Sequence, residues 1–117
     1  MIVAGLGFRK GVSTGSLKAA LALVGPAEIL ATAEGKENEP GLRDLCAEYG
    51  LQIIAVRRDL LAAHGITGSP QSLALYGTGS VAEASALAAA GPGARLVQTR
   101  LKGPDGMAVV ALAEGPR

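Results

Sequence analysis

Two short segments of the chain combine glycines with hydroxyl side chains, and the first also carries basic side chains; these residue types can hold an anion. The first covers residues 3–13 and the second covers residues 76–84. Each is placed where a helix is expected to begin, and the first backbone N–H groups of a helix have no partner within it. Glycine leaves such groups uncovered because it carries no side chain. Both segments are therefore predicted to bind anionic groups at a helix N-terminus.

In the first segment, the predicted contacts come from a glycine-rich turn that carries two basic side chains. They are Gly7, Phe8, Arg9, Lys10, Gly11 and Ser13. Arg9 and Lys10 can form a positive rim over the exposed N–H groups. A solvated turn accounts for these two side chains equally well.

In the second segment, two glycines come directly before a predicted helix cap. The predicted contacts are Gly77, Thr78, Gly79, Ser80 and Glu83. Ser80 and Glu83 have the spacing of a capping box, in which each side chain accepts from the other residue's backbone N–H. The capping box accounts for the Glu83 carboxylate, and general-base catalysis by Glu83 is a weaker alternative.

A hydrolase is a further alternative, because residues 11–15 match the G-x-S-x-G pattern and the order Ser13, Asp59, His64 mimics that of a catalytic triad. A nucleophilic serine of this type directly follows a strand, however, and Ser13 lies several residues beyond the first predicted strand. Helix capping explains Ser13 better. His64 ends a short predicted helix, where contact with the terminal carbonyl groups is its simpler role. Ser13, His64 and Glu83 therefore remain weak catalytic candidates.

Other ligand classes find little support in the sequence. The dinucleotide pattern G-x-G-x-x-G fails because Lys10 stands where its third glycine belongs. Cys46 lies on an apolar helix stripe and is expected in the core, and Arg57 and Arg58 can be surface charge or further carboxylate contacts. With one cysteine and one histidine, neither a disulfide framework nor a metal site is expected, and no cofactor is implied.

Composition limits the class of protein. The chain has 117 residues, which fits one domain spanning 1–117, and its net charge of +1 with three aromatic residues argues against a nucleic-acid partner. No apolar run approaches the length of about 20 residues that a membrane span needs. Without a basic leader at the N-terminus, the expected location is cytoplasmic.

The elements that must position these residues alternate between strands and helices. Strands are predicted at residues 2–6, 28–33, 51–56, 95–100 and 107–113. Helices are predicted at residues 13–24, 40–49, 59–64, 69–76 and 80–90, with a polar loop at 34–39. The pattern predicts a three-layer α/β/α domain whose mixed, mostly parallel sheet of about five strands ends in an antiparallel hairpin. Ligands of such sheets bind outside the carboxyl ends of the parallel strands.

Three segments also resemble a known family, which comprises the stand-alone cobalamin biosynthesis protein CobE and the C-terminal domain of CbiG. They are residues 5–13 (GLGFRKGVS), residues 77–87 (GTGSVAEASAL) and the closing residues 102–113. The resemblance implies a role in building the corrin ring of vitamin B12. It implies a polycarboxylated corrin or precorrin intermediate as ligand, with Arg9, Lys10 and Lys102 as carboxylate contacts.

The resemblance leaves three functions open. The first is binding of the intermediate. The second is hydrolysis of the ring-A lactone of a precorrin with release of acetaldehyde, an activity of the longer CbiG proteins, which carry additional N-terminal domains. The third is a carrier or scaffold that interacts with other enzymes of the pathway. The length of this chain is closer to the CobE type, for which binding is the expected function.

Overall fold

The computed structural model describes residues 1–63 and 81–116, and five strands in these ranges form one sheet. The strands are β1 (Ile2–Phe8), β2 (Ile29–Ala33), β3 (Gln52–Val56), β4 (Arg95–Lys102) and β5 (Ala108–Glu114). Their order is β3-β2-β1-β5-β4. The β3–β2 and β2–β1 pairs are parallel, whereas β5 runs antiparallel to both β1 and β4.

Four strands therefore run in one direction and end at the same edge of the sheet. We call this edge the carboxyl edge and define it by the last residues of β1, β2, β3 and β4, which are Phe8, Ala33, Val56 and Lys102. The antiparallel β4–β5 pair, with Lys102 in register with Val109, is the hairpin predicted from the sequence.

Helices cover both faces of the sheet. They are α1 (Thr14–Leu21), α2 (Pro40–Tyr49), α3 (Arg58–Ala63) and α4 at residues 81–90, with a short 3₁₀ helix at Lys36–Asn38. Buried leucines of α1 and α2 pack on one face, and buried side chains of α3 and α4 pack on the other. The predicted three-layer fold with a mixed sheet is confirmed.

Strand β1 lies between these layers and has apolar residues on both of its faces. Ala4, Leu6 and Phe8 belong to the core beneath α1 and α2, while Val3 belongs to the core beneath α3 and α4. Successive side chains of a strand point to opposite faces, so a strand covered on both sides is apolar throughout. This explains the continuous apolar run at the start of the sequence.

Close packing of α4 on β1 requires a glycine in the strand. A Cβ atom at Gly5 would lie 1.9 Å from the Ala82 carbonyl oxygen and 2.8 Å from the Ala86 nitrogen. The other end of α4 lies beside the N-terminal end of β1, because Gly115 packs on Ala90 and donates its N–H to the Met1 carbonyl. Helix α4 therefore runs antiparallel to β1, with residue 81 toward the carboxyl edge.

Several predicted boundaries were wrong. Strand β1 continues to Phe8 because it stays paired with β5 as far as Ala108. Helix α1 ends at Leu21 and not at residue 24, since the N–H groups of Leu23 and Val24 bond to carbonyls only three residues back. The predicted loop at 34–39 contains the 3₁₀ helix. The predicted helix at residues 69–76 and the last residue of the one at 59–64 lie outside the described residues.

Candidate functional site

Exposed basic side chains stand at the carboxyl edge of the sheet. Arg9 and Lys10 directly follow β1, and Lys102 is the last residue of β4. Only β5 separates those two strands, so two strand spacings of about 4.8 Å put their ends about 10 Å apart. None of these three cations forms an ion pair with any other residue in the described part of the chain.

The loop between β1 and α1 holds one of its N–H groups against a carboxylate of the same chain. Gly11 has a φ of +85°, and its N–H donates to Glu39 Oε1 at 2.7 Å. Glu39 is the residue before α2, yet its side chain makes no capping bond to that helix. The Gly11 donor that was predicted for a ligand anion therefore has an intramolecular partner.

Ser13 caps α1, as its position in the sequence predicted. Its Oγ accepts from the Ser16 N–H at 3.0 Å and donates to Ser16 Oγ at 3.0 Å. The Ser16 hydroxyl in turn donates to Asp105 Oδ2 at 2.5 Å, and Met107 N–H donates to Asp105 Oδ1 at 3.0 Å. These bonds, above all that from Ser16, lower the pKa of the Asp105 carboxyl below its ordinary value.

Among the described residues, the hydroxyl of Ser13 donates to Ser16 and not to Asp59. Its hydrogen-bond chain ends on the Asp105 carboxylate and not on an imidazole. Asp59 lies beside Arg57 instead, whose Nη2 donates to it at 2.6 Å and whose hydrogen bonds lower the pKa of Asp59. His64 lies outside the described residues.

Gly7 and Phe8 belong to β1 and not to the glycine-rich turn predicted from the sequence. Gly7 is in register with Val109 of β5. Phe8 is only 3% exposed and packs in the core, while Lys36 Nζ lies 5.9 Å from the centre of its ring. Cation–π contacts form at such distances. Phe8 is therefore a core residue with almost no surface to offer a ligand.

The second segment is described only from residue 81 onward. Gly77, Thr78, Gly79 and Ser80 lie outside the described residues, so the Ser80–Glu83 capping box stays a prediction. Glu83 itself is half-buried on α4, where its Oε2 accepts from the Arg100 N–H at 3.2 Å. Glu83 Oε1 lies 3.9 Å from Arg100 Nη1. Glu83 therefore links α4 to β4.

Sequence analysis missed two carboxylates of this region. Glu39 lies 28 residues from Gly11, and Asp105 lies 89 residues from Ser16. No local pattern connects residues so far apart in the chain. From the sequence, Asp105 was predicted only to lie in a turn, because it is the centre of a Pro-Asp-Gly sequence.

Cys46 is half-buried and packs against the core of α1 and α2, where the sequence placed it. Burial raises the pKa of its thiol, which therefore stays protonated near neutral pH. Within residues 1–63 and 81–116, no group of three His, Cys, Asp or Glu side chains could hold a metal ion, and no helix is long and apolar enough to cross a membrane.

An open groove of about 420 Å³ lies away from the carboxyl edge, between the C-terminal ends of α1 and α2. Leu21, Val24, Leu51 and Tyr49 contribute to its walls. The Lys18 ammonium at its rim is bound to the carboxylate of Glu48. The groove is mostly apolar, and Lys18, the one basic side chain among its described lining residues, has an acidic partner, so the groove does not suit a ligand with many carboxylates.

Comparison with known proteins identifies similar chains. The family model described as "Cobalamin synthesis G C-terminus" matches residues 2–113. A solved structure of cobalamin biosynthesis protein chiG from Agrobacterium tumefaciens is 33% identical, with a TM-score of 0.78 and complete coverage of both chains. CobE, described as a protein from the cobalamin (vitamin B12) biosynthetic pathway, is 34% identical with a TM-score of 0.75, over 97% of this chain and 89% of that one.

A third solved structure shares the fold alone. It is a putative cobalamin biosynthesis protein G homolog from Sulfolobus solfataricus, 18% identical with a TM-score of 0.69. The match covers 96% of this chain and 36% of that chain. No sequence among the curated proteins matches the chain significantly.

Proposed function

Because the chain belongs to the cobalamin synthesis G C-terminus family, we propose that it binds a polycarboxylated corrin or precorrin intermediate at the carboxyl edge. Such intermediates are flat, largely apolar macrocycles with acetate and propionate groups around the rim. A complementary protein surface needs an apolar base and several separated cations. The cytoplasm, expected from the sequence, is the compartment that we propose for this binding.

The observation that carries the proposal is the spacing of the basic residues. Arg9 and Lys10 extend from the end of β1, and Lys102 extends from the end of β4, two strand positions away. The separation of about 10 Å is comparable with the width of a tetrapyrrole ring. Carboxylates on two sides of one macrocycle could therefore reach cations on two different strands.

The side-chain cations are the main carboxylate contacts in this proposal. The Gly11 N–H is already bound to Glu39, and the Ser16 N–H is bound to Ser13. Arg9, Lys10 and Lys102 are exposed and can form charge-assisted hydrogen bonds. Each exposed pair is weak because water and salt screen it, so affinity must come from several contacts together.

The orientation of α4 supports a contribution from the second segment. Its described part begins toward the carboxyl edge, on the face of the sheet opposite α1. Gly77, Thr78, Gly79 and Ser80 immediately precede that point in the sequence. In the proposal they provide backbone N–H groups for further carboxylates of the same ligand.

Binding is the function that the Ser13 geometry favours over hydrolysis. A serine nucleophile needs a base that can take its proton. The Ser13 hydroxyl donates to Ser16 Oγ, and the Ser16 hydroxyl donates to Asp105. A carboxyl with a lowered pKa, such as that of Asp105, is a poor acceptor for a serine proton. We therefore propose a binding protein that hands its intermediate to enzymes of the pathway.

Titration of the full chain with hydrogenobyrinic acid, followed by visible absorption, tests this proposal. We expect a saturable spectral change at micromolar protein, and we expect Lys102→Ala to raise the Kd by about two- to five-fold. Arg95→Ala is the matched control, because Arg95 begins β4 at the opposite edge of the sheet. No spectral change with the wild-type chain, or equal effects of the two substitutions, would contradict the proposal.

A further inference from the structure

Glu39 places a negative charge beside the basic loop that follows β1 at the carboxyl edge. Its carboxylate accepts the Gly11 N–H, and Gly11 directly follows Arg9 and Lys10. On the basis of the proposed function, we infer that Glu39 is a specificity-determining residue, which limits the number of ligand carboxylates that the site accepts. It does so by occupying a backbone donor and by reducing the positive charge of the edge.

The conformation of Glu39 is not explained by helix capping. A residue at the N-cap of a helix usually uses its side chain to accept an N–H of the first turn. Glu39 makes no such bond to α2. The side chain reaches instead to a donor that is 28 residues away in sequence.

The Gly11 donor is one that a ligand carboxylate could use. The φ of +85° at Gly11 is readily adopted only by glycine, and Gly11 lies within the turn that the Val12 N–H closes by bonding to the Arg9 carbonyl. No atom of the described residues lies within 4 Å of the position where a Cβ of Gly11 would stand. Glu39 thus takes an open donor between two cationic residues and the start of α1.

The loop has other contacts that hold it against α2. Thr14 Oγ1 donates to the Gly41 carbonyl at 2.8 Å. A Cβ at Gly41 would lie 2.3 Å from the Val12 carbonyl oxygen, which shows how closely the two backbones approach. Because these contacts do not involve Glu39, removing only its charge should leave the loop in place.

Glu39→Gln separates the charge from the hydrogen bond, since a glutamine amide oxygen can still accept the Gly11 N–H. Glu28→Gln is the matched control, because exposed Glu28 precedes β2 at the opposite edge and the variant has the same net charge. Thermal unfolding of both variants checks that they fold. The probes are octacarboxylate uroporphyrin I and tetracarboxylate coproporphyrin I, with binding measured by absorption at about 20 mM and about 0.5 M salt.

For Glu39→Gln we expect Kd values about two- to five-fold lower than for the wild-type chain at low salt. This fold decrease in Kd should be larger for uroporphyrin than for coproporphyrin, and it should be smaller at high salt. Glu28→Gln should leave both values unchanged.

Three results would overturn this role of Glu39 while leaving the proposed function standing. In the first, the wild-type chain binds and Glu39→Gln does not lower the Kd. In the second, Glu28→Gln lowers the Kd as much as Glu39→Gln does. In the third, Glu39→Gln lowers the Kd equally for both porphyrins. If neither the wild-type chain nor Glu39→Gln binds any of these macrocycles or hydrogenobyrinic acid, the proposed function itself fails together with the inference.

Discussion

Two buried serines differ in what their hydroxyl groups contact. Ser85 is fully buried on α4, and its Oγ has no hydrogen-bond partner among the described residues, whereas the buried Ser16 hydroxyl is bound to Asp105. A buried polar atom without a partner costs about 1–3 kcal/mol. Alanine at position 85 would remove this cost.

We predict that Ser85→Ala raises the free energy of unfolding by about 1–2 kcal/mol, because it removes the unpaired hydroxyl and adds helix propensity. Ser16→Ala should lower the free energy of unfolding, because that substitution removes the hydroxyl donor of the Asp105 carboxylate. Urea unfolding of both variants measures the two changes. A loss of stability in Ser85→Ala would show that its hydroxyl has a stabilising contact.

The Asp105 carboxyl links the β4–β5 turn to α1 by accepting from Ser16, and it should make the free energy of unfolding depend on pH. Its pKa is lowered in the folded chain, so its contribution is complete above the unfolded-state pKa of about 3.9. The contribution is lost as the pH falls through the lower folded-state value. Stability should therefore decline in acid as this carboxyl becomes protonated.

We predict that Asp105→Asn lowers the Tm at pH 7, and that the difference from the wild-type chain narrows as the pH falls below about 4. Asp44→Asn is a control in which an exposed carboxylate of α2 is replaced. Thermal scans from pH 3 to about 7 provide the measurement. A Tm difference that stays constant over this range would argue against the Asp105 contacts.

At the residue scale, the sequence predicted contacts only between near neighbours. Ser13 was predicted as a helix cap from its place before an apolar-periodic segment, and its partner Ser16 is only three positions away. Glu39 and Asp105 were not found, because the chain must fold before they meet Gly11 and Ser16. The intramolecular carboxylates of the site could therefore not be predicted.

At the element scale, the contact between α4 and β1 depends on the absence of a side chain at Gly5. Helix α4 presents Ala82 and Ala86 to the strand, and its backbone lies within 2 Å of where a Cβ of Gly5 would stand. Small residues on both elements allow this close approach. A displacement of α4 would also move the link from Glu83 to Arg100 of β4.

We predict that Gly5→Ala lowers the free energy of unfolding by about 3 kcal/mol or more, because backbone atoms of α4 would have to move. Gly15→Ala is the matched control: it lies in the first turn of α1, where the nearest atom to a new Cβ is 3.8 Å away. That change should be neutral or stabilising by up to about 1 kcal/mol. Similar losses in the two variants, measured by urea unfolding, would contradict the packing described here.

The periodicity of apolar residues predicted which segments are helices and which are strands, but it did not predict all of their first and last residues. The apolar run predicted β1, although its last two residues, Gly7 and Phe8, were assigned to a turn. They stay in the strand because β5 pairs with them. Helix α1 stops before residue 24 because the N–H groups of Leu23 and Val24 bond to carbonyls only three residues back. Long-range pairing therefore fixed the end of β1, which local signals missed.

At the scale of the whole molecule, the sequence predicted the layers and the hairpin but not the strand order. Alternating strands and helices indicate parallel pairing, and the Pro-Asp-Gly turn indicates the β4–β5 hairpin. The insertion of β5 between β1 and β4 is a long-range choice. It makes β4 point in the direction of β1, and thereby brings Lys102 to the same edge as Arg9 and Lys10.

This arrangement predicts binding that weakens with salt. If carboxylates of the ligand are held by exposed cations, the affinity for hydrogenobyrinic acid should fall steadily from about 20 mM to about 0.5 M salt. The Lys102→Ala variant should show a shallower dependence, because it has lost one of the screened contacts. Absorption titration of both proteins at several salt concentrations measures this dependence. An equal salt dependence of the affinity in the two proteins would point to an apolar contact elsewhere.

The most direct test of the central claim is to map the binding surface by NMR. The amide signals of the ¹⁵N-labelled full chain would be followed while hydrogenobyrinic acid is added. We predict that the largest shifts occur at residues 9–11 and 102–103, at the carboxyl edge. Shifts confined to the α1–α2 groove, at residues 21–27 and 49–51, or no shifts at saturating ligand, would contradict the account.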